Sequence, residues 1–176
     1  MQNIIKTIGG TVLLILLVSC QQAKSEKRVQ SQDVAALTAA YGEAWSSRDA
    51  ARIASYHSDD SEFVLHVAGA TPIVGRAAVE EAFKTLLADN PDYASRKTLV
   101  KTGSDFVVVE YEITTGPDRP FKMGETCFAP RTSDYRIPAI DLILFEDGEV
   151  IAKHKFIDTE TMRLHVDPMP SGGDCS

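Results

Sequence analysis

The chain has 176 residues, of which 44% are hydrophobic, and its formal net charge is −7 at neutral pH. This length suits one ordinary domain with additional terminal segments, and the composition is that of a globular protein. The negative charge argues against nucleic acid as a partner, because phosphate binding requires clustered Lys and Arg. Three Cys in a chain of this length give neither a disulfide scaffold nor a zinc motif with C-x-x-C spacing.

Residues 1–19 have the pattern of a secretory signal peptide. Lys6 gives a weakly basic start, and the apolar run from Thr11 to Val18 is too short to span a bilayer. The run ends in Leu17-Val18-Ser19-Cys20, which resembles a bacterial lipobox. An ordinary signal peptide with an incidental Cys is the alternative interpretation.

The lipobox resemblance implies that Cys20 is lipidated and becomes the mature N-terminus. The acyl chains would then hold the protein at a membrane without a transmembrane helix. Gln21 after the Cys resembles lipoproteins sorted to the outer membrane, so the implied location is the periplasmic face of that membrane. Residues 20–32 would form the lipidated Cys and a flexible polar tether.

The domain itself is predicted at residues 33–166, and its first part is mostly helical. Asp33 and Asp49 are the predicted N-caps of the first two helices. The predicted helices cover residues 33–47, 49–56 and 76–90, with a polar turn at 57–61 and a strand at 62–68 before the third.

The remainder of the domain is predicted to be β-structure. The predicted strands cover residues 93–102, 106–115, 121–128, 136–145 and 149–158, and residues 167–176 are predicted to be a disordered tail. Asp147-Gly148 between the last two strands is a strong hairpin signal. Helices followed by antiparallel strands indicate an α+β fold, with the helices packed on one face of a curved sheet.

The last predicted strand combines titratable and apolar residues. Because side chains alternate along a strand, His154, Phe156 and Asp158 are predicted to share one face. Lys153 and Lys155 are predicted on the opposite face. The sequence therefore predicts an imidazole and a carboxylate together on an otherwise apolar sheet face.

Asp141 interrupts the apolar strand before the hairpin turn. It is predicted to share a face with Ile143 and Phe145. If that face is buried, the carboxylate must be protonated or paired, and Arg136 or Lys153 would be the partner.

Short motifs follow one another along residues 41–158. They are Tyr41-Gly42-Glu43-Ala44-Trp45, Tyr56-His57-Ser58-Asp59-Asp60, Val64-Leu65-His66, Gly75-Arg76 with Phe83, Asp147-Gly148-Glu149-Val150-Ile151 and His154-Lys155-Phe156-Ile157-Asp158. Their order resembles the NTF2-like superfamily, and within it the SnoaL-like and ketosteroid-isomerase-like proteins. The resemblance covers nearly the whole predicted domain, although the fold hosts many unrelated functions.

The resemblance implies a cone, in which a strongly bent sheet wraps around the long first helix and encloses a hydrophobic cavity. The implied pocket residues are Tyr41, Trp45, Tyr56, Phe63, His66, Phe83 and Phe156, although an aromatic stripe on a helix is also typical of plain core. The resemblance further implies a homodimer through the outer sheet face and a small hydrophobic molecule as ligand. Some relatives are cyclases or isomerases that use a pocket carboxylate as base and no metal.

Three residues are candidates for catalysis. Asp158 matches the base of the polyketide-cyclase branch, but it is also well placed to cap the turn at residues 159–161. His154 stands where relatives often have Trp, and would either polarise a carbonyl or line the pocket with its imidazole held by a neighbour. Asp141 is a second candidate base. No His spacing matches a metal motif, and we expect neither metal nor cofactor.

Two functions remain open from the sequence. One is an envelope-anchored protein that binds a small hydrophobic carbonyl compound and acts as an isomerase, cyclase or lyase. The other is a non-catalytic binding or assembly module, which predicts an exposed apolar patch on the outer sheet face. The sequence also leaves open whether Cys127 and Cys175 pair, which an oxidising periplasm would permit.

Overall fold

The structure is a computed structural model that describes residues 33–115, 119–132, 135–170 and 175. The predicted signal peptide, Cys20 and the tether lie outside the described residues. Among the helices of the described ranges, none combines the length and the hydrophobicity needed to span a bilayer.

Four helices are present in the described chain. They are α1 (Val34–Ser46), α2 (Ala50–Ala54), α3 (Arg76–Asp89) and α4 (Thr159–Arg163). Asp33 accepts a hydrogen bond from the Ala36 N–H, and Asp49 accepts one from the Arg52 N–H. Both predicted N-caps are therefore confirmed, because each carboxylate satisfies a backbone donor that has no partner within its helix.

The strands form two sheets. They are β1 (His57–Leu65), β2 (Ile73–Val74), β3 (Ala94–Thr102), β4 (Phe106–Thr115), β5 (Phe121–Met123), β6 (Thr126–Pro130), β7 (Tyr135–Glu146), β8 (Glu149–Ile157) and β9 (Val166–Pro168). The main sheet has the order β2-β1-β8-β7-β4-β3, and the small sheet has the order β5-β6-β9. All pairs are antiparallel except β1 with β8, which run parallel. The predicted α+β class with a mainly antiparallel curved sheet is confirmed.

The polar turn predicted at residues 57–61 is wrong, because β1 already begins at His57. His57 and Ser61 are fully buried, and the His57 Nδ1 lies 3.0 Å from the Ser61 Oγ. Polar side chains that satisfy each other can occupy a buried strand, and composition alone does not reveal such a pairing.

Two further predictions differ in detail from the structure. The segment predicted as one strand at 121–128 is a hairpin, because the chain turns at Gly124, whose φ is 58°. The segment predicted as a disordered tail begins inside β9, and Cys175 forms a disulfide with Cys127 on β6. The small sheet and this disulfide attach the C-terminal segment to the domain.

The hairpin turn has the conformation that its sequence favours. Asp147 has a φ of 49° and Gly148 a φ of 86°, as required at both central positions of a type I′ turn. The predicted Asp-Gly hairpin between β7 and β8 is therefore confirmed.

One extra residue in β8 decides which side chains face the helices. Phe145 pairs with Val150 but Leu144 pairs with Ala152, so Ile151 is the additional residue of a β-bulge. The alternation of side chains shifts by one position after Ile151, because each strand residue points opposite to the one before it. His154 and Phe156 share one face, opposite Lys153 and Lys155, as predicted, but the face that carries the two lysines is the one that points to the helices.

The helices pack on the inner face of the main sheet, where the hydrophobic core lies. Trp45 of α1 packs edge-on against Phe83 of α3, with ring centroids 4.8 Å apart. Arg48 follows α1 and donates hydrogen bonds to the carbonyls of Leu87 and Tyr93, at 3.0 and 2.9 Å. These contacts hold the end of α1 against the end of α3 and fix the segment that carries Tyr93.

Candidate functional site

A cavity of about 510 Å³ lies between α1 and the inner face of the main sheet. Tyr41 and Trp45 face it from α1, and Tyr93 faces it from the segment after α3. Val109 and Ile143 contribute apolar surface from β4 and β7. A volume of this size is within the usual range of small-molecule pockets.

Four polar side chains on three adjacent strands form a connected cluster on the wall of this cavity. The Tyr111 hydroxyl donates to Asp141 Oδ1 at 2.8 Å, and the Lys155 ammonium donates to the Tyr111 oxygen at 2.8 Å. The Lys153 ammonium donates to Asp141 Oδ2. All four residues are buried. We refer to Tyr111, Asp141, Lys153 and Lys155 as the inner cluster.

The inner cluster is built by strand register and by the bulge. Asp141 of β7 pairs directly with Lys155 of β8, and Ile143 pairs with Lys153. Because of the bulge at Ile151, both lysines lie on the inner face, where they are 2% and 3% exposed. Asp141 is 7% exposed on the same face.

The charges of the inner cluster stabilise one another against burial. Burial alone raises the pKa of Asp141, but Lys153 and Lys155 hold that pKa below its ordinary value. Burial lowers the pKa of Lys153 more than Asp141 raises it, and Lys155 lowers it further. Burial also lowers the pKa of Lys155, yet the oxygens of Tyr111, Tyr93 and Asp141 hold it well above its ordinary value. The cluster therefore contains a carboxylate and a cationic Lys155 at neutral pH.

Aromatic rings from α1 cover the inner cluster. The Lys153 ammonium lies 5.3 Å from the centroid of the Trp45 ring and 5.8 Å from that of Tyr41. Such placement stabilises a cation, because the face of an aromatic ring is electron-rich. Trp45 Nε1 is buried and makes no hydrogen bond to any described residue.

A second buried hydrogen-bond network orients Tyr41. Its hydroxyl lies 2.8 Å from His57 Nε2, and the other ring nitrogen of His57 lies 3.0 Å from Ser61 Oγ. Burial, reinforced by the cations of Lys153 and Arg76, lowers the pKa of His57 to about 3. The imidazole is neutral at physiological pH, with one nitrogen donating and the other accepting.

A second cavity, of about 420 Å³, adjoins the first. Its wall is mainly apolar and includes Phe63, Leu86 and Ile137. Tyr93 and Lys155 line both cavities, and their side chains are 3.4 Å apart from oxygen to nitrogen. These two side chains therefore belong to the wall that the two cavities share.

The expectation that Asp158 faces the cavity is wrong. Asp158 is the N-cap of α4 and accepts hydrogen bonds from the backbone N–H groups of Glu160 and Thr161, at 3.1 and 3.0 Å. Its side chain is exposed, and its bonds to Thr161 lower its pKa. The cap alternative recognised in the sequence is the one that the structure adopts.

His154, His66 and Phe156 lie on the outer face of the sheet, contrary to the expectation that they line the pocket. The rings of His66 and Phe156 are stacked with centroids 4.1 Å apart, and His66 Nε2 lies 3.0 Å from His154 Nδ1. Phe156 is 43% exposed. The bulge at Ile151 is the physical reason, since it moves His154 and Phe156 to the side opposite the helices.

The remaining predicted pocket residues lie on the inner side. Tyr41 and Trp45 line the first cavity, and Phe63 lines the second. Phe83 is fully buried in the core, and the ring of Tyr56 packs against Tyr41 with centroids 5.8 Å apart. Phe83 and Tyr56 thus support the walls of the site.

Sequence reasoning gave Lys155, Tyr93 and Tyr111 no functional role and considered Lys153 only as a partner for Asp141. A signal was present, because Lys153 and Lys155 stand two residues apart in an otherwise apolar strand and must share a face. The expected ion pair between Asp141 and Lys153 is confirmed. Which face they share depends on the bulge, for which the sequence carries no clear signal.

The inner cluster can bind an oxygen that carries or develops negative charge, because its buried lysines supply hydrogen-bond donors on the cavity wall. Asp141 is the only carboxylate on the wall of the first cavity among the described residues. Nowhere in the described ranges do three or more His, Cys, Asp or Glu side chains come together to hold a metal ion.

Comparisons with known proteins agree with this architecture. The model of the SnoaL-like domain family matches residues 37–153. No curated protein matches the chain.

Solved structures with the same fold share little sequence with this chain. A SnoaL-like protein from Jannaschia sp. CCS1, proposed to be a polyketide cyclase, is 21% identical with a TM-score of 0.61, over 78% of this chain and 92% of that one. A similarly described protein from Shewanella putrefaciens CN-32 is 21% identical with a TM-score of 0.61, over 89% and 97%. A protein of ketosteroid isomerase-like fold from Catenulispora acidiphila DSM 44928 is 16% identical with a TM-score of 0.55, over 68% and 82%.

The family match covers most of the domain. It extends from α1 to Lys153 on β8, the lysine that forms the ion pair with Asp141. The helices, the bent sheet and the cavity between them are those expected of such a domain. The chain therefore belongs to the SnoaL-like domain family.

Proposed function

We propose that this protein binds a small, largely hydrophobic carbonyl compound in the first cavity and acts on it as a cofactor-independent isomerase, cyclase or lyase. The observation that carries the proposal is the inner cluster, which presents one carboxylate and two ammonium groups to the first cavity. Burying three charges is costly, and a hydrophobic core of the same volume would serve stability as well or better. Ligand binding at this site would explain why the buried charges are present.

The chemistry follows from the geometry of the cluster. A carbonyl oxygen near Lys153 would accept a hydrogen bond from the Lys153 ammonium as negative charge develops on that oxygen. Asp141 would then accept a proton from the carbon beside the carbonyl, with Tyr111 hydrogen-bonded to its other oxygen. The lysines lower the basicity of Asp141, so catalysis depends on stabilising the enolate more than on a strong base. Of the two candidate bases predicted from the sequence, Asp158 and Asp141, this proposal uses Asp141.

The similarity to proteins proposed to be polyketide cyclases supports this class of reaction. Those relatives are about one-fifth identical to the chain, so their substrates are not transferred to it. The inner cluster, not the similarity, is the basis of the proposal.

Native mass spectrometry of the purified full chain tests the proposal most directly. We expect an adduct that disappears on denaturation and is identified as a carbonyl compound. The Asp141→Leu, Lys153→Met double variant should fold but lose the adduct, whereas Lys84→Met, an exposed change on α3, should retain it. A cavity found empty in every preparation, or an adduct retained in the double variant, would argue against the proposal.

We propose further that the domain is anchored through Cys20 to the periplasmic face of the outer membrane. The disulfide between Cys127 and Cys175 supports an oxidising compartment, since such bonds are rare in the cytosol. Membrane fractionation of a Gram-negative host should find the chain in the outer membrane and the Cys20→Ala variant elsewhere. An unchanged distribution of Cys20→Ala would contradict the lipid anchor.

A second candidate function is association through the outer sheet face, with a second copy of the chain as the proposed partner. Ile140 and Phe156 are paired neighbours on this face and are 42% and 43% exposed. Adjacent exposed apolar side chains favour a protein contact. Sedimentation analysis should give a dimer that Phe156→Glu dissociates. Leu164→Glu, at another exposed apolar residue, should leave the dimer intact, and a wild-type monomer would refute this candidate.

A further inference from the structure

Lys155 and Tyr93 belong to the wall that the two cavities share. Lys155 is 3% exposed and lines both the first cavity and the mainly apolar second cavity. Its ammonium contacts the hydroxyl oxygens of Tyr111 at 2.8 Å and Tyr93 at 3.4 Å. A buried cation thus stands at the junction of two chambers.

Lys155 forms no ion pair within the described residues. The carboxylate of Asp141 is in direct contact with Lys153, which neutralises that ammonium. Two buried lysines therefore stand against one buried carboxylate, and Lys155 is the lysine that is not in direct contact with it. The ammonium of Lys155 has hydroxyl oxygens as its direct partners, and a buried charge without a direct counter-charge is costly.

The first cavity adds to the positive character of this region. Arg48 lies in its wall with its guanidinium bonded to backbone carbonyls, and Lys97 stands at its open side on edge strand β3. With Lys153 and Lys155, four cationic side chains line the first cavity, against the single carboxylate of Asp141 among the described residues. The electrostatic environment favours a negatively charged ligand group.

The wall of the second cavity is mainly apolar. Phe63, Leu65, Ile113 and Ile137 contribute to it, and Asp89 and Lys122 are charged residues of the same wall besides Lys155. An apolar chamber of about 420 Å³ favours a hydrocarbon group, since burial of apolar surface contributes about 25 cal/mol per Å². The ammonium of Lys155 lies at the end of this chamber where it meets the first cavity.

We propose that the ligand is an amphipathic carboxylate, whose anionic group is bound by Lys155 and whose hydrocarbon chain occupies the second cavity. The inference rests on the proposed function in that both place a ligand in the same site, and it adds the charge and the shape of that ligand. The carboxylate supplies the negative charge that Lys155 lacks, in a charge-assisted hydrogen bond.

A calorimetric titration of the purified full chain with octanoate, octan-1-ol and octylamine tests the charge requirement. We expect octanoate to bind roughly tenfold or more tightly than either of the others, since only the carboxylate pairs with a buried cation. Trp45 is the single Trp of the chain and lines the first cavity, so its emission should change as octanoate binds. Lys155→Met should lose the preference for octanoate, and Lys84→Met should keep it.

Titration with carboxylates of increasing chain length, from butanoate to decanoate, tests whether the hydrocarbon chain occupies the second cavity. This experiment leaves the inner cluster unchanged. We expect affinity to rise with chain length in the wild type, and to rise much less in Ala82→Phe, which narrows the second cavity from α3. This arm remains decisive if Lys155→Met does not fold.

The outcomes separate this inference from the proposed function. Equal binding of octanoate and octan-1-ol would overturn the conclusion that the ligand carries a carboxylate, although it would still be consistent with a hydrophobic pocket. Affinity independent of chain length would overturn the assignment of the second cavity. Absence of any binding by the octyl compounds would overturn the inference alone, because the proposed function is tested by the ligand that co-purifies with the chain.

Discussion

The ammonium of Lys153 and the carboxylate of Asp141 form an ion pair inside the domain, where their side chains are 2% and 10% exposed. Each group makes the burial of the other tolerable, because a buried charge without a partner is strongly destabilising. The pair joins neighbouring strands β7 and β8 beneath the aromatic rings of α1.

We expect Asp141→Asn to lower the free energy of unfolding by about 3–5 kcal/mol, because it leaves the Lys153 ammonium buried without a counter-charge. The Asp141→Leu, Lys153→Met double variant should be more stable than Asp141→Asn, although it removes both charges. Urea unfolding followed by Trp45 emission and by circular dichroism measures both. An Asp141→Asn protein as stable as wild type would show that the pair is not needed for folding.

The buried His57 predicts a loss of stability in acid. Its pKa is lowered from 6.5 to about 3 in the folded protein, so between these values the unfolded chain binds a proton that the folded chain does not. Stability is therefore fully present above pH 6.5 and falls as the pH decreases towards 3. The contribution of this one group is on the order of 4 kcal/mol.

Thermal unfolding from pH 7 to pH 3 measures this effect. His57→Gln keeps a side chain that can donate and accept but cannot titrate, so its Tm should fall less steeply than that of wild type. Parallel acid profiles for the two proteins would assign the loss to other groups.

Removal of the Asp158 carboxylate should affect helix α4 rather than the cavity. We expect Asp158→Ala to lower Tm by a few degrees, because two backbone N–H groups lose their acceptor. Asp158→Asn should recover most of the loss, since the amide oxygen still accepts. Ligand binding in both variants should equal that of wild type, and a binding defect in Asp158→Asn would restore a direct role for this carboxylate.

The disulfide should stabilise the domain by joining residues that are 48 positions apart in sequence. Chain-entropy arguments give about 4 kcal/mol for a loop of this length. Cys175→Ser should therefore unfold at lower urea concentration than wild type under oxidising conditions. With excess reductant the two proteins should unfold together, and a difference that persists would assign the effect to the Ser side chain.

Capping and turn preferences were sufficient to predict the structure where residues close in sequence contact one another. Asp33 and Asp49 cap helices because a carboxylate can reach backbone donors three residues ahead. Asp147-Gly148 turns the final hairpin because both residues accept a positive φ. The order of the short motifs along residues 41–158, which begins with Tyr41 and Trp45 on α1, was enough to indicate the SnoaL-like fold.

The sequence by itself determined the α+β class, the hairpin and the presence of the aromatic helix, because these follow from periodicity and turn chemistry within short segments. Only the tertiary structure decided which residues form the site. A single bulge at Ile151 reverses the two faces of β8, so Lys153 and Lys155 enter the cavity while His154 and Phe156 face outward. A bulge is selected by how a strand fits both of its neighbours, and this fit depends on β1 and β7 rather than on β8 alone.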